Sequence, residues 1–228
     1  MTKHCKTLFI SDVHLGSSAC RDDLLLQFLK EYDAENIYLV GDIIDFWRIN
    51  QNPNWPQTHN DVIQKLLRKG RKGTNIIYIP GNHDEYIRYF IDRKFGSITV
   101  KYDDYYFSNG KVYYITHGDQ FDKLMKKRNL SLFGCRMYNM MLKFNSYFIK
   151  KIKRTIKNNK KFESAIIEHA NRIKVDGVIC GHMHTPKIEK INGIMYYNCG
   201  DWTENYTALI ENLDGSIELI KGNKNVKF

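Results

Sequence analysis

No stretch of the chain approaches the roughly 20 consecutive apolar residues that a membrane-spanning helix needs. Met1 to Lys6 run straight into a strand-like segment with no apolar signal-peptide core, so a cytoplasmic location is expected. Cysteine is sparse: Cys5, Cys20, Cys135, Cys180 and Cys199 are odd in number and form no Cys-x-x-Cys pair. That excludes a disulfide framework and a thiolate zinc knot, and leaves reduced, mostly buried residues. Internal repeats and low-complexity tracts are also missing, apart from a Lys-rich patch over 150–161. What remains is 228 residues, 43% hydrophobic and 26% charged, which suits a single domain spanning 1–228 with one continuous core.

Charge is uneven along the chain. Between Gln120 and Val175 fifteen Lys or Arg face only Asp122, Glu163 and Glu168, a local balance of +12 in a chain whose total is +10. Everything outside that segment is therefore slightly acidic. A basic block serves a nucleic acid, an anionic membrane surface or an acidic substrate, or is simply a solvated helical face, and charge alone does not choose.

Short β-rich apolar runs recur at 7–10, 37–40, 76–79, 112–115 and 178–180, and read as buried strands. Between them lie helical periods, first Leu24, Leu25, Phe28 and Leu29, then Val62, Ile63, Leu66 and Leu67, the second closed by Gly70 and Gly73. The alternation predicts βαβ units in an α/β layered fold. The runs 195–197, 207–210 and 217–220 predict an antiparallel meander and a second sheet. From about 130 to 161 strand signals stop, and Leu130, Phe133, Met137, Met141, Phe144, Phe148 and Ile152 form one apolar stripe of an amphipathic helix or helical pair.

A polar cluster follows each strand-like run: Asp12-Val13-His14, Gly41-Asp42-Ile43-Ile44-Asp45, Gly81-Asn82-His83-Asp84, His117-Gly118-Asp119 and Gly181-His182-Met183-His184. Loops at the carboxyl ends of strands converge in layered α/β proteins, so these clusters are expected to meet. Asp-x-His and His-x-His spacings let two side chains leave an extended segment on one side. Imidazole with carboxylate suits Mn, Fe or Zn. One such cluster alone is more often a turn than a ligand set, but turn chemistry does not explain five in succession. His4, His59 and His169 lie outside the clusters and read as surface or helix residues, while Gly41, Gly81, Gly118 and Gly181 are expected to permit the sharp exit from each strand.

The ordered motifs Asp-x-His, Gly-Asp-x-x-Asp, Gly-Asn-His-Asp, His-Gly-Asp and Gly-His-x-His closely resemble the calcineurin-like metallophosphoesterase family. The resemblance spans Asp12 to His184 and implies two facing β-sheets flanked by helices. It implies that Asp12, His14, Asp42 and His184 hold one divalent cation, and that Asp42, Asn82, His117 and His182 hold another, with Asp42 shared. Manganese is the expected ion, with Fe or Zn as alternatives. Within the family the sequence is most similar to the hydrolases of lipid A synthesis that split UDP-2,3-diacylglucosamine into lipid X and UMP, in their Gly-Asn-His-Asp branch. The residues that carry this are 11–16, 41–47, 181–186 and 198–202. Two departures are visible: well-characterised members carry Arg where this chain has His83, and Gly-Ala-Trp-His where it reads Gly200-Asp201-Trp202-Thr203.

Two cations about 4 Å apart would lower the pKa of a water between them and clamp phosphate oxygens for in-line attack. His83 is then the candidate to protonate the leaving group or to stabilise the charge that builds on it, with Asp84 orienting its ring. Asp45, Asp119 and Asp122 read as residues that orient ligands. The basic helical insertion, at about 122–174, reads as a lid over the site, with Asp122, Phe144, Phe148 and Lys150 as candidate substrate contacts and its cations facing an anionic membrane surface. Packing of its stripe on the core is the alternative. The rival functions are a broader phosphomonoesterase or phosphodiesterase, including one that cuts nucleic acid along the +12 segment, and a non-catalytic scaffold. All seven ligand positions are intact, which weighs against the scaffold.

Overall fold

The computed structural model describes residues 2–51, 53, 55–122 and 159–222. The apolar stripe expected from Leu130 to Ile152, and with it Phe144, Phe148 and Lys150, lies outside the described residues. Among the described residues, no helix is long and apolar enough to cross a membrane.

The strands are β1 (Lys3–Ile10), β2 (Tyr32–Val40), β3 (Asn75–Ile79), β4 (Lys94–Phe95), β5 (Ile98–Val100), β6 (Asp104–Ser108), β7 (Lys111–Ile115), β8 (Gly177–Cys180), β9 (Lys187–Ile191), β10 (Ile194–Asn198), β11 (Thr207–Glu211) and β12 (Ile217–Lys221). Helices are α1 (Asp22–Glu31), α2 (Phe46–Gln51), α3 (Gln57–Arg71) and α4 (Asn159–Ile173), with 3₁₀ turns at Glu85–Phe90 and Asp119–Phe121. One seven-stranded sheet has the order β12-β11-β1-β2-β3-β5-β4, and a five-stranded sheet the order β6-β7-β8-β10-β9. β1, β2, β3 and β5 run parallel, as do β7, β8 and β10, while edge strands are antiparallel. The fold is thus α/β, with two mixed sheets flanked by helices.

The period of two explains the layering. In β1, Leu8 and Ile10 turn toward α1 and α3, joining Leu25, Phe28 and Val62 in one core. Phe9, between them, turns the other way and meets Tyr106, Ile115, Ile179 and Tyr197 of the second sheet. A strand buried on both faces has to be apolar throughout, which is why these runs lack polar alternation. A third cluster seats Phe162, Ile166, Ile167 and Ala170 of α4 against Tyr114, Val178 and Tyr196. In α1, Asp22 and Asp23 open the helix and Lys30 closes it, matching the helix dipole.

All five expected buried strands are strands. The carboxyl-terminal meander is corrected: β11 and β12 form a hairpin on the edge of the first sheet, whereas β10 belongs to the second sheet, parallel to β8. His59, expected on the surface or in a helix, is a helix residue of α3 but a buried one; its Nδ1 accepts from Gly16 N at 3.1 Å and its Nε2 lies 3.3 Å from Asp22. His4 is exposed, and His169 is half-buried on α4 against Tyr114 and Phe121.

Candidate metal centre

The loops after β1 and β2 are zipped side by side. Asp12 N donates to Gly41 O (3.0 Å), His14 N to Asp42 O (2.9 Å) and Leu15 N to Ile43 O (2.9 Å). The pairing carries the parallel register past the strand ends and sets Asp12, His14 and Asp42 beside one another. From the second sheet, His182 N donates to Asp12 Oδ2 at 2.9 Å, and the backbone N–H of Trp202, whose side chain is fully buried against Phe28, donates to Asp12 O at 3.0 Å. The five loops therefore converge as the strand order requires.

The backbone at these positions differs from the expected extended geometry. Asp12, His14, Asp42, His182 and His184 have φ of 52°, 56°, 54°, 67° and 49°, in the left-handed region. For a residue with a Cβ that costs on the order of 1 kcal/mol each, and such strain gathers at functional sites. Gly41 at φ +79° makes the turn expected of it. Gly81 and Gly181 have no such φ; each is glycine because a Cβ would collide, with Asp42 and His117 at Gly81 and with Ser11 and Asp12 at Gly181.

The side chains form three donor groups among the described residues, of which two, Asp12–His14–His184 and Asp42–His117–His182, consist of expected ligands, while the third, His14–Asp45–His83, shares His14 with the first. In the first, His184 Nε2 lies 3.0 Å from Asp12 Oδ1, and His14 Nε2 lies 3.3 Å from His184 Nε2. In the second, His117 Nε2 lies 3.3 Å from Asp42 Oδ2. His117 Nδ1 is 3.0 Å from Val40 O; a carbonyl only accepts, so Nδ1 carries a proton, and Nε2 is the nitrogen left to face the cluster and to offer a lone pair when a cation displaces its proton. Asn82 is buried next to them.

The donor set fits divalent cations. Of the buried side-chain atoms without a hydrogen-bond partner among the described residues, half, namely Asp12 Oδ1, Asn82 Oδ1 and His117 Nε2, belong to the expected ligand set, and the first and last of these lie against other ligands, His184 and Asp42. Leaving such groups unmet costs roughly 1–3 kcal/mol each, so they mark a place for something absent from the chain itself. Electrostatics agree. Burial pushes the Asp42 carboxyl up, but His117, His83 and His14 pull it well below its ordinary value; Asp12, likewise opposed by burial, is held at about 2 by His184 and His117. Burial would lower His14, yet the bond to Asp45 and the charges of Asp42 and Asp12 lift it to about 9. Carboxylates in this site draw in positive charge.

Around the clusters, one carboxylate joins two imidazoles. Asp45 Oδ2 is 3.1 Å from His14 Nδ1, and Asp45 Oδ1 is 3.0 Å from His83 Nδ1. The His83 ring packs on Trp47 at 4.1 Å between centroids and edge-on to His14 at 4.6 Å, with Nε2 4.0 Å from Asp42 Oδ2. Asp84 does not orient His83, contrary to expectation. It is fully buried and accepts from the backbone N–H of Gly81, Asp42 (3.2 Å) and Ile43 (2.8 Å) and from Tyr78 Oη (2.6 Å), binding the loops after β2 and β3 together. Asp122 Oδ2 lies 3.3 Å from His182 Nε2. Asp119 instead accepts two hydrogen bonds from Arg88, at 2.8 and 2.9 Å. Sequence reasoning assigned no role to Asp201. It is buried, accepts from Thr203 N at 2.8 Å and caps the turn whose Asn205 side chain donates to His184 O at 2.8 Å. The polar run Asp201 to Asn205 was the available signal.

A two-sheet α/β fold with imidazole and carboxylate donors at its strand ends defines a class, and the sequence model described as Calcineurin-like phosphoesterase matches residues 5–186. The chain belongs to that family and is a hydrolase. It is 27% identical over 229 residues to the UDP-2,3-diacylglucosamine hydrolase of Neisseria gonorrhoeae, covering 91% of this chain and 93% of that protein. The enzyme of the same name from Photorhabdus laumondii is 26% identical over 204 residues, covering 81% and 84%. Among solved structures, the E. coli phosphoesterase Yfce aligns with a TM-score of 0.49 and 15% identity, over 95% of this chain and 99% of that one.

Proposed function

We propose that the whole chain, 1–228, acts as one domain that hydrolyses the pyrophosphate bond of UDP-2,3-diacylglucosamine, releasing UMP and lipid X, at the cytoplasmic face of a membrane. Asp12, His14, Asp42 and His184 hold one cation, and Asp42, Asn82, His117 and His182 the other, with manganese as the ion. The observation that carries the reaction type is the pair of imidazole–carboxylate clusters, Asp12–His14–His184 and Asp42–His117–His182, whose donor atoms lie within 4.8 Å of one another in each cluster. Support for the substrate is the similarity to the Neisseria gonorrhoeae hydrolase over 91% of the chain.

When bound, two such cations lower the pKa of a water and neutralise phosphate oxygens. The residues do the rest. Val40 O and Asp45 fix the His117 and His14 tautomers, so that each presents Nε2. His83 gives a proton from Nε2 to the departing oxygen, and Asp45, on the opposite ring nitrogen, stabilises the charged imidazole. Trp47 against the ring keeps it in that orientation.

Incubation with UDP-2,3-diacylglucosamine and Mn²⁺, followed by mass spectrometry, tests this. UMP together with lipid X is the expected outcome, with slower turnover of p-nitrophenyl phosphate and single-stranded DNA. Intact diacylated substrate beside rapid cleavage of the other two would replace the proposal with the broader phosphoesterase reading.

A further inference from the structure

The 3₁₀ turn Glu85–Phe90 begins two residues after His83 and carries aromatic side chains outward. Tyr86, Tyr89 and Phe90 are exposed, Tyr89 by 85%, and Phe95 on the β4 edge is exposed by 53%. Two ring pairs anchor the strip at its ends, and the short turn joins them: Phe90 packs edge-on to Phe95 at 5.7 Å between centroids, and Phe46 meets Tyr86 at 5.7 Å. Isolated exposed apolar residues need no explanation, but a connected aromatic strip does. Its polar members are cationic in balance, since Arg93 and Lys94 are exposed beside a single exposed acid, Asp92.

This strip is fixed to the rim of the metal centre. Arg88, in the same turn, donates to Asp119, two residues past His117, and to Pro80 O at 3.3 Å, just before the Asn82–His83 loop. On the other flank, Phe46 adjoins Trp47, which packs on His83. A surface lying on Tyr89, Phe90 and Phe95 would therefore meet the molecule on the turn that follows the Asn82–His83 loop.

We infer that the strip Tyr86, Tyr89, Phe90, Arg93, Lys94 and Phe95 docks on an anionic lipid surface. Aromatic side chains with lysine and arginine at their edge match the chemistry of the headgroup layer, where rings enter the interface and cations meet lipid phosphates. The charge balance selects an anionic surface over a neutral one. The inference deepens the proposed function, because docking here would deliver a lipid-borne substrate to the site. It also assigns lipid contact to residues distinct from the basic segment at 122–174.

The test uses the full chain and sedimentation with phosphatidylcholine vesicles, with and without phosphatidylglycerol. The parent should bind the phosphatidylglycerol vesicles and leave the neutral ones. Tyr89→Ser with Phe90→Ser and Phe95→Ser should weaken that binding at least about tenfold, from the loss of inserted aromatic area. Arg93→Glu with Lys94→Glu should weaken it at least as much, and added salt should mimic the loss. Both variants should keep the parent's turnover of a soluble nitrophenyl ester. Parent protein that ignores the vesicles, or variants that bind as the parent does, would overturn the inference. So would a large fall in melting temperature of both variants, which would mean that the chain itself covers the strip, or a parent dimer that the variants split. UMP release from UDP-2,3-diacylglucosamine in detergent micelles, measured in parallel, reports on the proposed function separately. Release without vesicle binding removes only the docking surface, and vesicle binding without release removes only the substrate.

Discussion

The two donor clusters hold their imidazoles differently. In the Asp12–His14–His184 cluster, the second nitrogen of His14 faces the Asp45 carboxylate, which also holds His83. In the Asp42–His117–His182 cluster, the second nitrogen of His117 donates to the uncharged Val40 carbonyl. A carboxylate raises the basicity of the ring it holds and ties it to whatever else it contacts; a backbone carbonyl sets the tautomer and no more. The first cluster is therefore coupled through Asp45 to the proton donor, while in the second the His117 ring is set by the main chain and His182 faces a carboxylate outside the cluster, that of Asp122.

Asp42→Ala breaks the comparison outright, since its carboxylate is proposed to serve both halves. Hydrolysis should be lost to the limit of detection even at high Mn²⁺, whereas His184→Ala, confined to one half, should be partly rescued by added metal. Equal rescue of both variants would mean that Asp42 is an ordinary ligand of one cation.

His83→Gln should retain metal and lower kcat by about 10² to 10⁴, the usual contribution of a positioned proton donor. The deficit should shrink with nitrophenyl esters, whose leaving group departs without a proton. A constant deficit across leaving groups would assign His83 to charge stabilisation.

Asp45→Asn sharpens the comparison by touching one half alone. Metal affinity of the first cluster should fall roughly 10- to 100-fold, as for other residues that orient a ligand. Calorimetric titration should show one weakened and one unchanged binding step. Two equally weakened steps would mean that the halves are not independently held.

Much of this was legible because strand ends are marked in the sequence. A β-rich run followed by Gly-Asp or Gly-Asn-His locates both the strand and its exit, so the five converging loops could be read without coordinates. Three things could not. Asp84 and Asp45 are both acids near His83, and only the three-dimensional path shows that Asp84 faces backbone amides and Asp45 the ring. His59 sits on the helical period of Val62 and Leu66, but its burial depends on the Gly16 loop closing over it, a contact 43 residues away. β4, β5 and β9 are short or exposed edge strands, and an edge needs only one partner, so Lys187–Ile191 carries no buried apolar face to betray it.

Asp84→Asn separates architecture from chemistry. Burial and the Asp42 charge already push the Asp84 carboxyl up, and its acceptor oxygens hold together the loops that carry Asp42 and Asn82. Replacing one oxygen by an amide donor should cost about 3 kcal/mol of stability, read by urea denaturation of metal-free protein. Unchanged stability with reduced kcat would return Asp84 to a role beside His83.

The smallest expected effect lies under the first cluster. Burial holds the His59 imidazole below its ordinary 6.5, against the pull of Asp22. The unfolded chain therefore takes up this proton first, so the stabilisation is complete above pH 6.5 and is lost as pH falls from there toward the folded-state value. The melting temperature of His59→Gln should fall less than the parent's across that window. Parallel curves would show that His59 titrates alike in both states.

Metal content, measured by elemental analysis after chelation, reloading with Mn²⁺ and dialysis, tests the central claim most directly. The account predicts two tightly held ions per chain in the parent and none held tightly in Asp42→Ala, since a single carboxylate joins the clusters. One ion per parent chain, or a parent that hydrolyses its substrate fully with none, would contradict it.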